Sequence, residues 1–212
     1  MSARRPRQNR VLPTGEIIRH AARGLFMGNR GCLHDAEGNL GKARWRSPLW
    51  IICGTAFKGR RRQVMAPGRY TELFFLDEAV AFAAGHRPCA ECRRADYRRF
   101  VECWAEGNGM PPPNAGEMNR ALHAARVDEG TRAQKTFREA IDRLPDGVFV
   151  RFGPKNSPHL LVGDAAYAFE DYAYGKPIKR PAHGEVDVMT PLPTVNTLRA
   201  GYRPVLHPDV TQ

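Results

Sequence analysis

The chain has 212 residues, 42% of them apolar, with 33 Lys and Arg against 22 Asp and Glu. That length holds one large domain or two small ones, and that apolar fraction excludes wholesale disorder. No apolar run approaches the roughly 20 residues of a membrane-spanning helix, and no apolar stretch follows the basic start Met1-Ser2-Ala3-Arg4-Arg5 to make a secretory signal. The expectation is a soluble, cytoplasmic protein with no membrane partner.

The net charge of +11 is unevenly placed. Residues 1–105 carry 20 Lys and Arg against 9 Asp and Glu, while residues 106–212 carry 13 of each. A basic half beside a neutral half points to a polyanion partner for the first, with nucleic acid the leading candidate.

In chain order, residues 1–10 read as a polar, Arg-rich tail. Residues 31–53 alternate and turn twice, at Asp35-Ala36-Glu37-Gly38-Asn39 and at Ser47-Pro48, and read as a three-stranded meander. Lys58-Gly59-Arg60-Arg61-Arg62 is a basic loop, and residues 70–75 form a strand. A short helix over residues 77–85 has both ends marked, by Asp77 as its cap and Gly85 as its left-handed stop. A loop over residues 86–92 leads to a helix over residues 94–105, whose Tyr97, Phe100, Val101 and Trp104 share one face.

Gly107-Asn108-Gly109-Met110-Pro111-Pro112-Pro113-Asn114 suits neither helix nor interior strand and is the linker candidate. Residues 117–144 are helical in pattern, with a break at Gly130. After the turn Pro145-Asp146-Gly147 come strands over 148–152, 159–162, 166–169 and 185–189, then a helix over 194–200. The fold class is therefore α+β: a small β-meander and helices around a metal knuckle, followed by helices and a small antiparallel sheet. The expected division is a basic region at 1–106, a linker at 107–116 and an α+β region at 117–212.

The five cysteines all lie in the basic half, at 32, 53, 89, 92 and 103. An odd number in a chain without a signal argues against a disulfide framework. Cys89-Ala90-Glu91-Cys92 places two thiolates on one tight turn, where both reach a single tetrahedral zinc at about 2.3 Å. The pair follows a helix and a Gly turn rather than a strand, which favours metal over redox chemistry.

Residues 76–93, from Leu76-Asp77-Glu78 through Gly85-His86-Arg87-Pro88-Cys89 to Cys92-Arg93, resemble the second half of the Ada-type metal-binding domain. That domain occurs in bacterial methylphosphotriester repair proteins and, in variant form, beside some nucleases. The resemblance covers about residues 45–94. It implies a first ligand pair about thirty residues earlier, after a strand, which places Cys53 as a ligand behind Trp50-Ile51-Ile52. The second ligand of that pair falls on Phe57, and His86 stands where the family has an aromatic residue. The methyl-acceptor activity of the repair proteins depends on four thiolates and is not carried over to Cys53. The fourth ligand is sought in Cys32 or His34, which folding of the meander would bring onto one face with Cys53. Cys103 reads as a core residue beside Trp104.

Two basic clusters flank the proposed zinc. One is Arg60, Arg61 and Arg62, and the other includes Arg94 and Arg98, four apart on one helix face. Both suit phosphate contacts to DNA or RNA. Pro88-Cys89-Ala90-Glu91-Cys92 also matches half of a zinc-deaminase signature, but no His-x-Glu or Cys-x-Glu accompanies it. Adjacent His34 and Asp35 admit a metal-dependent nuclease, without a second histidine motif to support it. The leading expectation is a zinc-binding, nucleic-acid-binding protein. The alternatives are a nucleic-acid-processing enzyme, a nuclease or repair enzyme with structural zinc, and a zinc-stabilised module meeting an acidic protein.

Overall fold

The computed structural model describes residues 5–59 and 63–210. Among the described residues the α+β class holds, with four helices and two six-stranded sheets. The first sheet comprises β1 (Gln8–Val11), β2 (Ile17–Arg19), β3 (Phe26–Asn29), β4 (Ile51–Gly54), β5 (Leu73–Phe75) and β6 (Arg87–Pro88), in the order β2-β1-β5-β3-β4-β6. Helix α1 (Glu78–Ala83) precedes β6, and α2 (Arg94–Gly107) and α3 (Ala115–Arg126) follow it. The second sheet is antiparallel throughout. It comprises β7 (Phe137–Ala140), β8 (Phe149–Phe152), β9 (Ser157–Val162), β10 (Ala165–Glu170), β11 (Ala173–Lys179) and β12 (Glu185–Val188), in the order β11-β10-β9-β8-β12-β7. Helix α4 (Leu192–Arg199) closes the chain's regular structure. No described helix is long and apolar enough to cross a membrane.

The expected meander over residues 31–53 does not form. Strand β3 lies before it and pairs directly with β4, Met27 opposite Cys53 and Gly28 opposite Ile52. Only glycine fits at 28, because a Cβ there would stand 2.2 Å from the Ile51 carbonyl oxygen and 2.8 Å from the Phe75 ring. The intervening residues make turns, with a single bridge between His34 and Leu40. Within the Arg-rich start, residues 8–10 belong to β1 and are likewise not a loose tail. Asn9 and Val11 point inward from β1, and Arg10 pairs with Phe74 of β5.

Asp77 caps α1 and Gly85 ends it at φ +84°, as the sequence implies. All six residues of α1 are buried, and the helix packs against β5 of one sheet and β8 of the other. One apolar cluster runs from Val11 through Phe82, Phe100 and Phe149 to Val210, so the basic and neutral halves share a core. The linker candidate is exposed over residues 109–112 and at Asn114, and is tied to the body at its ends. Gly107 belongs to α2 and sits so close to α4 that a Cβ would stand 2.1 Å from the Asn196 carbonyl oxygen. Asn114 starts α3 with a capping box to Glu117.

The helix expected over residues 117–144 stops at Arg126. Asp128 Oδ1 accepts from the Thr131 N–H at 2.8 Å and the Thr131 hydroxyl at 2.9 Å, a local turn that competes with helix. The sequence reading passed over β7 and β11, which are the two edges of the second sheet. β11 contains Gly175, Pro177 and two lysines, a composition that an edge strand tolerates and a central one does not.

Asp77 ties the two halves together. Its Oδ1 accepts from the Val80 N–H at 2.9 Å, and its Oδ2 accepts from the Tyr174 hydroxyl at 2.8 Å and the His207 N–H at 3.1 Å. Burial pushes its carboxyl up to about 6 in spite of these donors. Between about pH 4 and 6 the folded chain keeps a proton that the unfolded chain gives up, so stability is lost as pH rises through 6. Asp77→Asn removes this dependence. Its stability relative to wild type should rise by about 3 kcal/mol from pH 4 to pH 7.5, measured by urea unfolding. A difference that stays flat across that range would contradict the assignment.

Candidate metal centre

Parallel pairing of β4 with β6 sets Ile52 opposite Pro88, and the Cys89 N–H donates to the Ile52 carbonyl at 2.9 Å. Cys53 and Cys89 thus stand side by side at the ends of neighbouring strands. The turn that opens α2 swings Cys92 back towards them, and the Glu91 N–H donates to Cys89 Sγ at 3.4 Å. The three Sγ atoms lie within 4.8 Å of one another. A tetrahedral site with 2.3 Å bonds needs its sulfurs about 3.8 Å apart, so the cluster fits a metal ion with small side-chain adjustment.

Electrostatics agree with that fit. Three thiolates this close repel one another, and one charge is shared instead. The Cys53 thiol donates to Cys89 and is itself pushed far up, while Cys89 is held down to about 5 by that bond. Burial, with the charge of Cys89, pushes Cys92 up. A divalent cation removes this conflict by binding all three sulfurs in deprotonated form.

The other proposed ligands are not at the centre. His34 is engaged at both nitrogens, Nδ1 with the Thr71 hydroxyl at 2.6 Å and Nε2 with the Ala66 carbonyl at 3.2 Å. Cys32 is exposed, its thiol 3.6 Å from the His34 carbonyl. The reason is the absent meander: β3, and not residues 40–45, pairs with β4, and β5, and not residues 31–34, lies beyond it. Asp35 serves a turn, accepting from the Asn39 N–H at 2.8 Å. Cys103 is half-buried against the core. Among the described residues only Cys53, Cys89 and Cys92 form a metal-ligand cluster.

The three sulfurs open onto a cavity of about 290 Å³ whose wall includes Phe57, Tyr70, Glu72 and Phe74. Phe57, where the resemblance expects the second ligand of the first pair, is thus cavity wall. Glu72 is already engaged, accepting from the Met65 N–H at 2.6 Å. A metal held by the three cysteines would border this space.

A second cavity of about 450 Å³ shares Thr55, Val64 and Phe74 with the first and is lined by Arg7, Arg10 and Arg23. Arg10 is fixed by donating from Nε to the Ala22 carbonyl at 2.6 Å and by lying 5.1 Å over the Phe74 ring. None of the three pairs with a carboxylate among the described residues. The sequence reading missed them. The available signal was composition: residues 1–30 hold seven arginines and a single acid, Glu16.

Of the arginines it named, Arg94 and Arg98 are exposed on α2 and have no carboxylate partner among the described residues. Their neighbours Arg93 and Arg99 are engaged, with Glu78 at 2.6 Å and Asp96 at 3.2 Å. Arg60, Arg61 and Arg62 lie outside the described residues. Compared with protein-family models, with curated proteins and with solved structures, the chain matches none.

Proposed function

We propose that the protein binds zinc through Cys53, Cys89 and Cys92, and binds nucleic acid through the basic surface beside that centre. The observation that carries this reading is the shared wall of the cysteine cavity and the arginine cavity. Zinc is favoured by the donor set, because three soft thiolates in a tetrahedral arrangement suit it above the hard divalent ions. When bound, zinc would supply a rigid cross-link between β4, the end of β6 and the start of α2, through Cys53, Cys89 and Cys92. The partial resemblance of residues 45–94 to the Ada-type domain is in keeping with this reading.

Charge separates binding from hydrolysis. Three thiolates exceed the charge of one divalent cation by one, so the centre does not attract phosphate. The pull on a nucleic-acid backbone falls to Arg7, Arg10 and Arg23, joined by Arg94 and Arg98, with Arg60, Arg61 and Arg62 nearby in sequence. A nucleic-acid-processing enzyme is the second reading, favoured by the cavity that borders the three cysteines. Turnover of labelled DNA or RNA would select it.

Fluorescence anisotropy with single- and double-stranded DNA and RNA tests the leading reading. Four or five phosphate contacts give a slope of log K against log salt of about −4 on duplex DNA. Affinity should fall about a hundredfold between 50 and 200 mM salt. Arg7→Ala with Arg23→Ala should flatten the slope by about 2 and weaken all sequences alike. No binding to any of the four at 50 mM salt would overturn the reading.

A further inference from the structure

A second cluster of arginines lies away from the cysteines, around Trp50. Arg30 and Arg126 are each 2% exposed, and their guanidinium carbons sit 4.1 and 3.7 Å from the centre of the Trp50 ring system. Every hydrogen-bond partner they have is uncharged. Arg30 donates from Nη1 to the Gly15 carbonyl at 2.8 Å and from Nε to His86 Nε2 at 3.4 Å. Arg126 donates from Nη1 to the Gly85 carbonyl at 2.8 Å and from Nη2 to the Pro48 carbonyl at 3.0 Å, with His123 Nδ1 also at 3.0 Å. Arg30 Nη2 and Arg126 Nε are buried and have no partner.

Burying a cation without an opposite charge is costly. Burial pushes both guanidiniums well down from their ordinary value, aided by the charge of Arg44 on Arg30 and those of Arg30 and Arg87 on Arg126, yet arginine keeps its proton in proteins. His86 does not offset them. It accepts from Arg30, is fully buried, and is held well below its ordinary value by burial and by the two arginines. The Trp50 ring attracts a cation, but one ring serves two of them, and such attraction covers a fraction of what burying a charge costs.

Both arginines line a narrow cleft of about 20 Å³ whose mouth carries two more, the exposed Arg44 and Arg132. No carboxylate lines it. Its wall also includes Gln134, whose amide nitrogen is fixed by the Pro13 and Ala83 carbonyls while Oε1 is buried without a partner. Four cationic donors beside one unpartnered acceptor suit a group with several anionic oxygens and an O–H. Free phosphate has both at neutral pH, whereas sulfate and carboxylates lack the O–H, and a phosphomonoester, with its second pKa of about 6, carries it only in part. The cleft holds about one or two water volumes, which admits one or two oxygens of a phosphate and keeps the rest of the group, with any base or sugar, at the mouth.

We propose that this cleft binds a single terminal phosphate, with Arg30 and Arg126 at its floor and Arg44 and Arg132 at its mouth. A phosphodiester within a strand is flanked by sugars on both sides, which leaves two sources: free phosphate, or the phosphate at a strand end, which has a sugar on one side only. The site stands apart from the Arg7, Arg10 and Arg23 cavity, so failure of either proposal leaves the other intact.

The test uses the full chain and inorganic phosphate, with chloride holding the ionic strength constant. At a hundredfold excess over Kd, phosphate should raise Tm by about 5 °C or more, and sulfate should bind more weakly. Arg30→Ala loses a buried side chain and risks misfolding, so the diagnostic variant is Arg44→Ala with Arg132→Ala at the exposed mouth. It should weaken phosphate about tenfold, while Arg94→Ala with Arg98→Ala leaves it unchanged. A 5′-phosphorylated oligonucleotide that outbinds its 5′-hydroxyl twin, with the preference lost in the mouth variant, makes the strand end the source. Phosphate binding without that preference makes free phosphate the source. No phosphate effect at 50 mM, or an effect unchanged in the mouth variant, overturns the proposal.

Discussion

Glu78→Ala should lower stability by about 3 kcal/mol or more, towards the 3–5 kcal/mol seen when one partner of a buried ion pair is removed. Glu78 is fully buried at the start of α1. Its Oε1 takes Arg93 Nη1 at 2.6 Å and the Tyr202 hydroxyl at 3.0 Å, and its Oε2 takes the Val205 N–H at 3.0 Å. Although burial pulls the Arg93 guanidinium down, the charge of Glu78 prevails and raises it. Without Glu78 that cation stays buried with half its pairing. Asp96 still accepts from it at 2.8 Å, which keeps the loss near the lower end of the range. Glu78→Gln retains the acceptor for Tyr202 and should lose less.

The same residue reports on the unity of the fold, because Tyr202 and Val205 come from the neutral half. Trp45, Trp50 and Trp104 all lie in the basic half, so tryptophan fluorescence follows that half and far-ultraviolet circular dichroism follows both. With one shared core, the two signals should move together in urea for both wild type and variant. A loss below 1 kcal/mol, or fluorescence that unfolds apart from the dichroism, would show the halves to be independent.

Cys89→Ser should take the metal content from about one ion per chain to near none and lower Tm by about 10 °C. Cys89 is central, since its sulfur meets both other thiols and its backbone joins β4. Structural zinc adds its binding energy to folding, and small zinc modules unfold without it. Here Ile52, Leu73, Phe75 and α1 belong to a core that does not depend on the three sulfurs, so the variant should remain folded. The 10 °C figure corresponds to a loss of about 3–5 kcal/mol at this chain length. A chelator should lower the Tm of wild type by a similar amount and leave the variant unmoved. Unchanged metal content and unchanged Tm in Cys89→Ser would remove the metal centre from the account.

What the sequence determined by itself was local. Asp77 and Gly85 bound α1 because a cap and a left-handed glycine act within one turn. Cys89 and Cys92 converge because three residues of a tight turn leave little choice, and Tyr97, Phe100, Val101 and Trp104 mark α2 by their spacing. Cys53 was reached through the resemblance of residues 45–94 to a known pattern. The tertiary structure decided what depends on distant partners. Residues 31–53 alternate like a meander, yet β3 reaches β4 first, because Gly28 lets the strands close over Phe75. With that pairing Cys32 and His34 lie outside the cluster of Cys53, Cys89 and Cys92, and Phe57 lines the cavity beside it. The arginines divide by the same logic. Arg30, Arg93, Arg98 and Arg126 are alike in the sequence, and only packing buries Arg93 against a carboxylate, leaves Arg98 in solvent, and sets Arg30 and Arg126 against Trp50 without an anion. A charge on a side chain is written in the sequence, but what that charge faces depends on contacts between segments far apart in the chain.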